Sequence, residues 1–145
     1  MEAAMLPMPQ TFEQTALKSR AWVDEMGRAL AIADPDRANH ALRAGLHAIR
    51  DWLPQAEAIA LGAQLPMLIR GLYYENWQPT KHHGRDRDAI LAAVRHELGH
   101  DTLVAGVVFQ AVIRVLINHV SSGEIDHIIR VLPQPIVQLW LDAMA

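Results

Sequence analysis

The chain of 145 residues carries 13 Lys and Arg against 16 Asp and Glu, a net charge of −3 with histidine neutral, and 51% of it is apolar. That length suits one domain with a sizeable core; a charged fraction of only 20% excludes a disordered tail, and the near-neutral balance argues against nucleic acid or an acidic membrane surface as a partner. The lack of cysteine removes disulfides, thiolate catalysis and cysteine-ligated metals, leaving eight histidines as the groups that change charge near neutral pH.

Met1 to Gln10 holds Glu2, Pro7 and Pro9 but no basic residue, so it lacks the charged and apolar regions of a secretory signal and reads as a flexible lead. Apolar residues then recur at helical spacing nearly everywhere, and no stretch alternates with the period of a strand, which predicts an all-α chain. A first helix is expected from Thr11 to Ala31, with Phe12, Ala16, Val23, Met26 and Leu30 turned inward. Asp34-Pro35 restarts the chain as an N-cap followed by the residue best tolerated in a first turn. The second helix runs to about Trp52, burying Ala38, Leu42, Leu46, Ile49 and Leu53. His40, Arg43, His47 and Arg50 share its other side, which reads as a solvated face.

Pro54 and Pro66 each end one helix and open the next. Tyr73, Tyr74 and Trp77 are expected to pack in the core, with a small pocket or an oligomer contact as the alternative. A polar connection from Glu75 to Gly84 follows, its His82-His83 pair reading as a flexible basic tip. Asp86 and Asp88 mark the charged start of the next helix, on which Ile90, Leu91, Val94 and Leu98 face inward until Gly99 ends it and Asp101 caps its successor. Thr102 to Val120 is the most apolar run, but Gly106, Gln110, Arg114 and Asn118 stripe one of its faces, which a membrane span would not tolerate cheaply. His119 falls near its C-terminus, where the helix dipole favours a cation. Ser121-x-x-Glu124 has the pattern of a capping box, and Pro133 opens the last helix. Trp52 and Trp140 sit where an indole can bury its body and keep its N–H hydrogen-bonded.

Shifting the chain by 67 residues lays Leu132-Pro133 on Leu65-Pro66 without a gap. Ala44, Glu57, Ile69 and Leu72 then meet identical residues at Ala111, Glu124, Ile136 and Leu139, Leu46, Ile49, Leu53 and Leu61 meet Ile113, Leu116, Val120 and Ile128, and Tyr73 meets Trp140. The expected architecture is about eight helices in one domain over 11–145, as two duplicated four-helix units: 11–74 and 85–145, joined by 75–84. The runs ALRAGLHAIRDWLP, GAQLPMLIRGLYYENW and SSGEIDHIIRVLP resemble a bacterial all-helical family, domain of unknown function 2267. The resemblance covers Phe12 to Trp140 and implies a small helical protein; the family has no accepted catalytic residues to carry over.

Arg95-His96-Glu97-Leu98-Gly99-His100 contains H-E-x-x-H, in which two imidazoles one helical turn apart hold zinc and the glutamate activates the metal-bound water. Glu124, His119 and His127 are the available further ligands. Against a site stand the lack of any strand to hold a substrate, the position of His96 opposite the apolar stripe, the helix-ending Gly99 between the ligands, and the absence of histidine at the matching Val23 to Gly27. No phosphate-binding glycine loop or serine nucleophile elbow is present. The reading is therefore a cytoplasmic, non-enzymatic helical module that binds a partner protein or itself, with no catalytic, cofactor or metal residues assigned. Its rivals are a zinc-dependent hydrolase using His96, Glu97 and His100, and a binder of small apolar molecules between the two units.

Overall fold

The computed structural model describes residues 3–145. Among them there are eight α-helices and no strand, in the order α1 (Gln10–Leu30), α2 (Pro35–Trp52), α3 (Gln55–Gly62), α4 (Met67–Tyr74), α5 (Arg87–Leu98), α6 (Ala105–His119), α7 (Ser122–Val131) and α8 (Gln134–Met144). None of these helices is long and apolar enough to cross a membrane.

The corners form for the reasons the chain advertises. The Asp34 carboxylate accepts from the Asp36 N–H at 2.9 Å with Pro35 beside it, and Asp86 does the same for Asp88 at 3.0 Å. Pro54, Pro66 and Pro133 stand at the N-caps of α3, α4 and α8, where no N–H is missed. Gly99 closes α5 with φ 62, a backbone region that disfavours residues carrying a Cβ.

The central pair is α2 and α6. The first packs on α1, α4, α5 and α6, and the second on α1, α2, α5 and α8, while α3 lies against α4 and α7. The crossing of α2 and α6 is close: a Cβ added at Gly45 would stand 2.4 Å from Val112 Cγ2, so Gly45 lets the two backbones approach. Leu42, Leu46 and Ile49 from α2 and Val112, Ile113 and Leu116 from α6 are fully buried there, capped by Trp22 and Met26 from α1.

Three expectations shift. The buried stripe of α1 is Thr15, Ser19, Trp22 and Met26, whereas Phe12 is 54% exposed and Ala16 faces solvent, because the first turns of this 21-residue helix project along α4 instead of entering the core. Asp101 does not cap α6. It forms an Asx turn onto the Leu103 N–H at 3.0 Å, and α6 begins only after Val104. Trp52 and Trp140 are buried as expected, yet neither indole N–H has a hydrogen-bond partner among the described residues.

Candidate functional site

The polar side of α2 is where the chain departs most from a solvated face. His47 and Arg50 are buried, and His40 and Arg43 are half-buried. Arg50 turns under the C-terminus of α4, where one Nη donates to the carbonyls of Tyr73 and Glu75, both at 2.8 Å, while Nε donates to Asp51 at 2.8 Å. Helix ends leave carbonyls unpaired, and a guanidinium satisfies several at once. Arg43 adds an ion pair to Glu75 at 2.8 Å.

His47 sits one turn earlier on α2. Its Nε2 lies 2.6 Å from the Leu72 carbonyl, which can only accept, so Nε2 carries a proton. Its Nδ1 lies 2.5 Å from Glu97 Oε1 on α5. A buried histidine against a carboxylate resembles part of a general-base assembly, but a base needs a nitrogen free for the substrate. Both nitrogens of His47 are occupied by the protein. The group ties α2, α4 and α5 together.

Beside this pair opens a cavity of about 310 Å³, bordered by His47, Asp51, Trp52, His83, His96 and Glu97. The His83 ring leans on the Trp52 indole at 5.0 Å between centroids, so this half of the His82-His83 tip is anchored. The structure thus places His96 at the rim of the cavity and Glu97 in its wall. It puts His100 elsewhere: α5 ends at Leu98, and His100 follows the Gly99 turn, outside the helix. His96, Glu97 and His100 do not bring three ligand atoms within 4.8 Å of one another, and Glu97 is already engaged by His47.

The aromatic cluster divides. Tyr73 is buried with its hydroxyl donating to the Ala58 carbonyl at 2.8 Å, and burial, helped by the neighbouring Tyr74, pushes its phenol well above the usual range. Tyr74 and Trp77 stack in a tilted pair at 5.5 Å, half-buried. His119 ends α6 stacked on Trp22 at 4.9 Å, with Nε2 2.9 Å from Glu25 Oε1 on α1.

A second assembly joins α3 to α7. Ser121 caps α7 by accepting from the Glu124 N–H at 3.2 Å, but the box is only half formed: the Ser121 N–H donates to Gln64 Oε1 at 2.9 Å. Glu124 is thereby free to turn toward Glu57 and His127, and ligand atoms of these three residues lie within 4.8 Å of one another. Burial first, and the Glu57 charge second, raise the Glu124 carboxyl above its ordinary pKa. Glu57 went unnoticed in the sequence as a partner for Glu124, although the 67-residue shift pairs exactly these two positions.

The third feature is apolar. Met8, Phe12, Ala16, Met67 and Leu68 line a groove of about 580 Å³ between the start of α1 and α4. The non-helical arm before it exposes Met5 by 95% and Leu6 by 89%.

The family model described as an uncharacterized conserved protein, DUF2267, matches residues 19–139. The chain belongs to the DUF2267 family. The match spans α2 to α7 entire, so the α2 polar seam and the α3–α7 junction lie inside the family region, whereas the arm and the first turns of α1 lie before it. No curated protein matches the chain.

Proposed function

We propose that this DUF2267 protein is a non-enzymatic helical module that works by association, and that its partner is a second copy of itself docked at the groove between α1 and α4. The carrying observation is the pairing, in one chain, of an apolar groove with an apolar arm that has nothing to pack on. Met67 and Leu68 are about half exposed on one wall, and Met5 and Leu6 stand almost wholly in solvent just before the other. Exposed large apolar side chains gathered at one place mark an interaction surface. Met8 both lines the groove and roots the arm, so a facing copy related by a two-fold axis would place each arm in the other's groove.

The residues that most invite chemistry support the non-enzymatic part, being engaged in holding helices together: both nitrogens of His47, the guanidinium of Arg50 and the carboxylate of Glu97. The reading includes an origin by duplication. In its support, α3 and α7 begin 67 residues apart, as do α4 and α8, and α2 and α6 end 67 residues apart. It also includes a cytoplasmic setting, which fractionation of cells producing the untagged chain would check.

Light scattering on the parent, on Met67→Glu and on Leu68→Glu tests the association. The expected result is a dimer that each charged variant converts to a monomer while its helix content stays unchanged. A parent that remains monomeric at high concentration overturns the reading.

A further inference from the structure

We propose that Glu57, Glu124 and His127 form a binding site for a divalent first-row transition metal ion that pins α3 to α7. The donor set is two carboxylates and one imidazole, which suits zinc, manganese or ferrous iron and is unlike the purely oxygen cages of calcium and magnesium. Glu57 rises from the first turn of α3, and Glu124 and His127 from α7, with Glu124 and His127 three apart and so on one face of their helix. His127 Nδ1 is 3.8 Å from Glu57 Oε2. Two ligands of one ion, each about 2.0 to 2.2 Å from it, stand roughly 3 to 3.5 Å apart, so small side-chain rotations close the set.

A second observation turns this group from a chance gathering into a site. Glu57 Oε2 and Glu124 Oε1 are both shut off from solvent, and neither has a hydrogen-bond partner among the described residues. Buried carboxylate oxygens are ordinarily satisfied several times over. Here two carboxylates instead face each other with a single imidazole nearby, and that imidazole is too far from Glu57 to hydrogen-bond. A shared cation supplies the missing positive charge. The side chain of His127 is 54% exposed, which leaves a route for the ion and room for water as the remaining ligands.

The site does not depend on the association argued above, and it is separate from H-E-x-x-H. Tag-free protein stripped with a weak chelator is titrated with zinc and with cobalt by calorimetry, beside Glu57→Gln, His127→Ala and His96→Ala. The expected result is one ion per chain, weakened about tenfold or more in Glu57→Gln and His127→Ala and unchanged in His96→Ala. Cobalt adds a readout of the ligands themselves: its visible absorption should change in His127→Ala. Because removing one of two facing carboxylates relieves repulsion, metal-free Glu57→Gln should also melt higher than the metal-free parent, which shows that the variant folds. No stoichiometric metal in the parent overturns the proposal, as does binding that disappears in His96→Ala but survives in His127→Ala. A parent that takes up no metal while Glu57→Gln still melts higher would mean that the two carboxylates share a proton instead.

Discussion

The two central helices, α2 and α6, pack against each other and are held by different means. α6 is held by apolar burial along one broad side, with Val108, Phe109, Val112, Ile113, Val115 and Leu116 all shielded, while Val107, Arg114 and Asn118 face solvent. α2 has an equally buried apolar side in Leu42, Leu46 and Ile49, but its other side is fixed by directed hydrogen bonds from His47 and Arg50 to the end of α4 and to α5. Burial is tolerant of small displacements, whereas a guanidinium spanning two carbonyls sets a position. The arrangement thus fixes α4, and with it the groove wall carrying Met67 and Leu68, relative to the rest of the bundle.

The largest effects are expected at the polar seam and in the apolar core of α6. Arg50→Met keeps much of the side-chain volume but leaves the Tyr73 and Glu75 carbonyls without their donor, for an expected loss of about 2 to 4 kcal/mol in denaturant unfolding. Leu116→Ala on α6 falls in a similar range, about 2 to 5 kcal/mol, for the different reason of a cavity. The crossing itself is tested by Gly45→Ala. Its Cβ meets Val112, and the overpacking should cost roughly 1 to 3 kcal/mol, part of which is offset by better helix propensity. Combining it with Val112→Ala should recover stability relative to the sum of the single changes, and a purely additive double variant would contradict the close crossing.

His47→Leu should cost about 1 to 2 kcal/mol, less than Arg50→Met, since the Leu72 carbonyl keeps the Glu75 N–H and the partly exposed Glu97 can reach water. The smallest effect is expected where α2 meets the connection between α5 and α6. Arg37 holds Asp101 through two hydrogen bonds of 2.8 and 2.9 Å, and this pairing, helped by the Leu103 N–H, lowers the carboxyl from the usual 3.8 to about 2. A depressed carboxyl stabilises the fold above its unfolded pKa and stops doing so as pH falls through the folded one. The contribution is therefore complete above about pH 4 and fades toward pH 2, and Arg37→Gln should flatten that part of a stability-against-pH curve.

The helix boundaries were legible because their signals are local: Asp34 with Pro35, Pro54, Pro66, Gly99 and Ser121 act within a turn of where they stand. The inward residues of α2 followed from spacing alone. The burial of His47 and Arg50 did not, because their acceptors lie 23 to 25 residues along the chain and on α5, and nothing near them in sequence announces a helix C-terminus overhead. Phe12 misled for the opposite reason: its spacing fits the stripe of α1, but the bundle is too short to cover that end of the helix. H-E-x-x-H was a local pattern whose own Gly99 argued against it, and the chain does turn there. The joining of Glu57 and Glu124 was visible only as two identical residues 67 positions apart.

The association of arm and groove is open to a direct test, since the chain contains no cysteine. One preparation carries Leu6→Cys and the other Met67→Cys; the two are mixed, oxidised mildly and analysed by mass spectrometry for a disulfide joining position 6 of one chain to position 67 of another. Efficient formation of that mixed link, suppressed when the groove also carries Leu68→Glu, is the predicted result. Links that form only at random, equally well in the Leu68→Glu background, would contradict the arm-in-groove dimer.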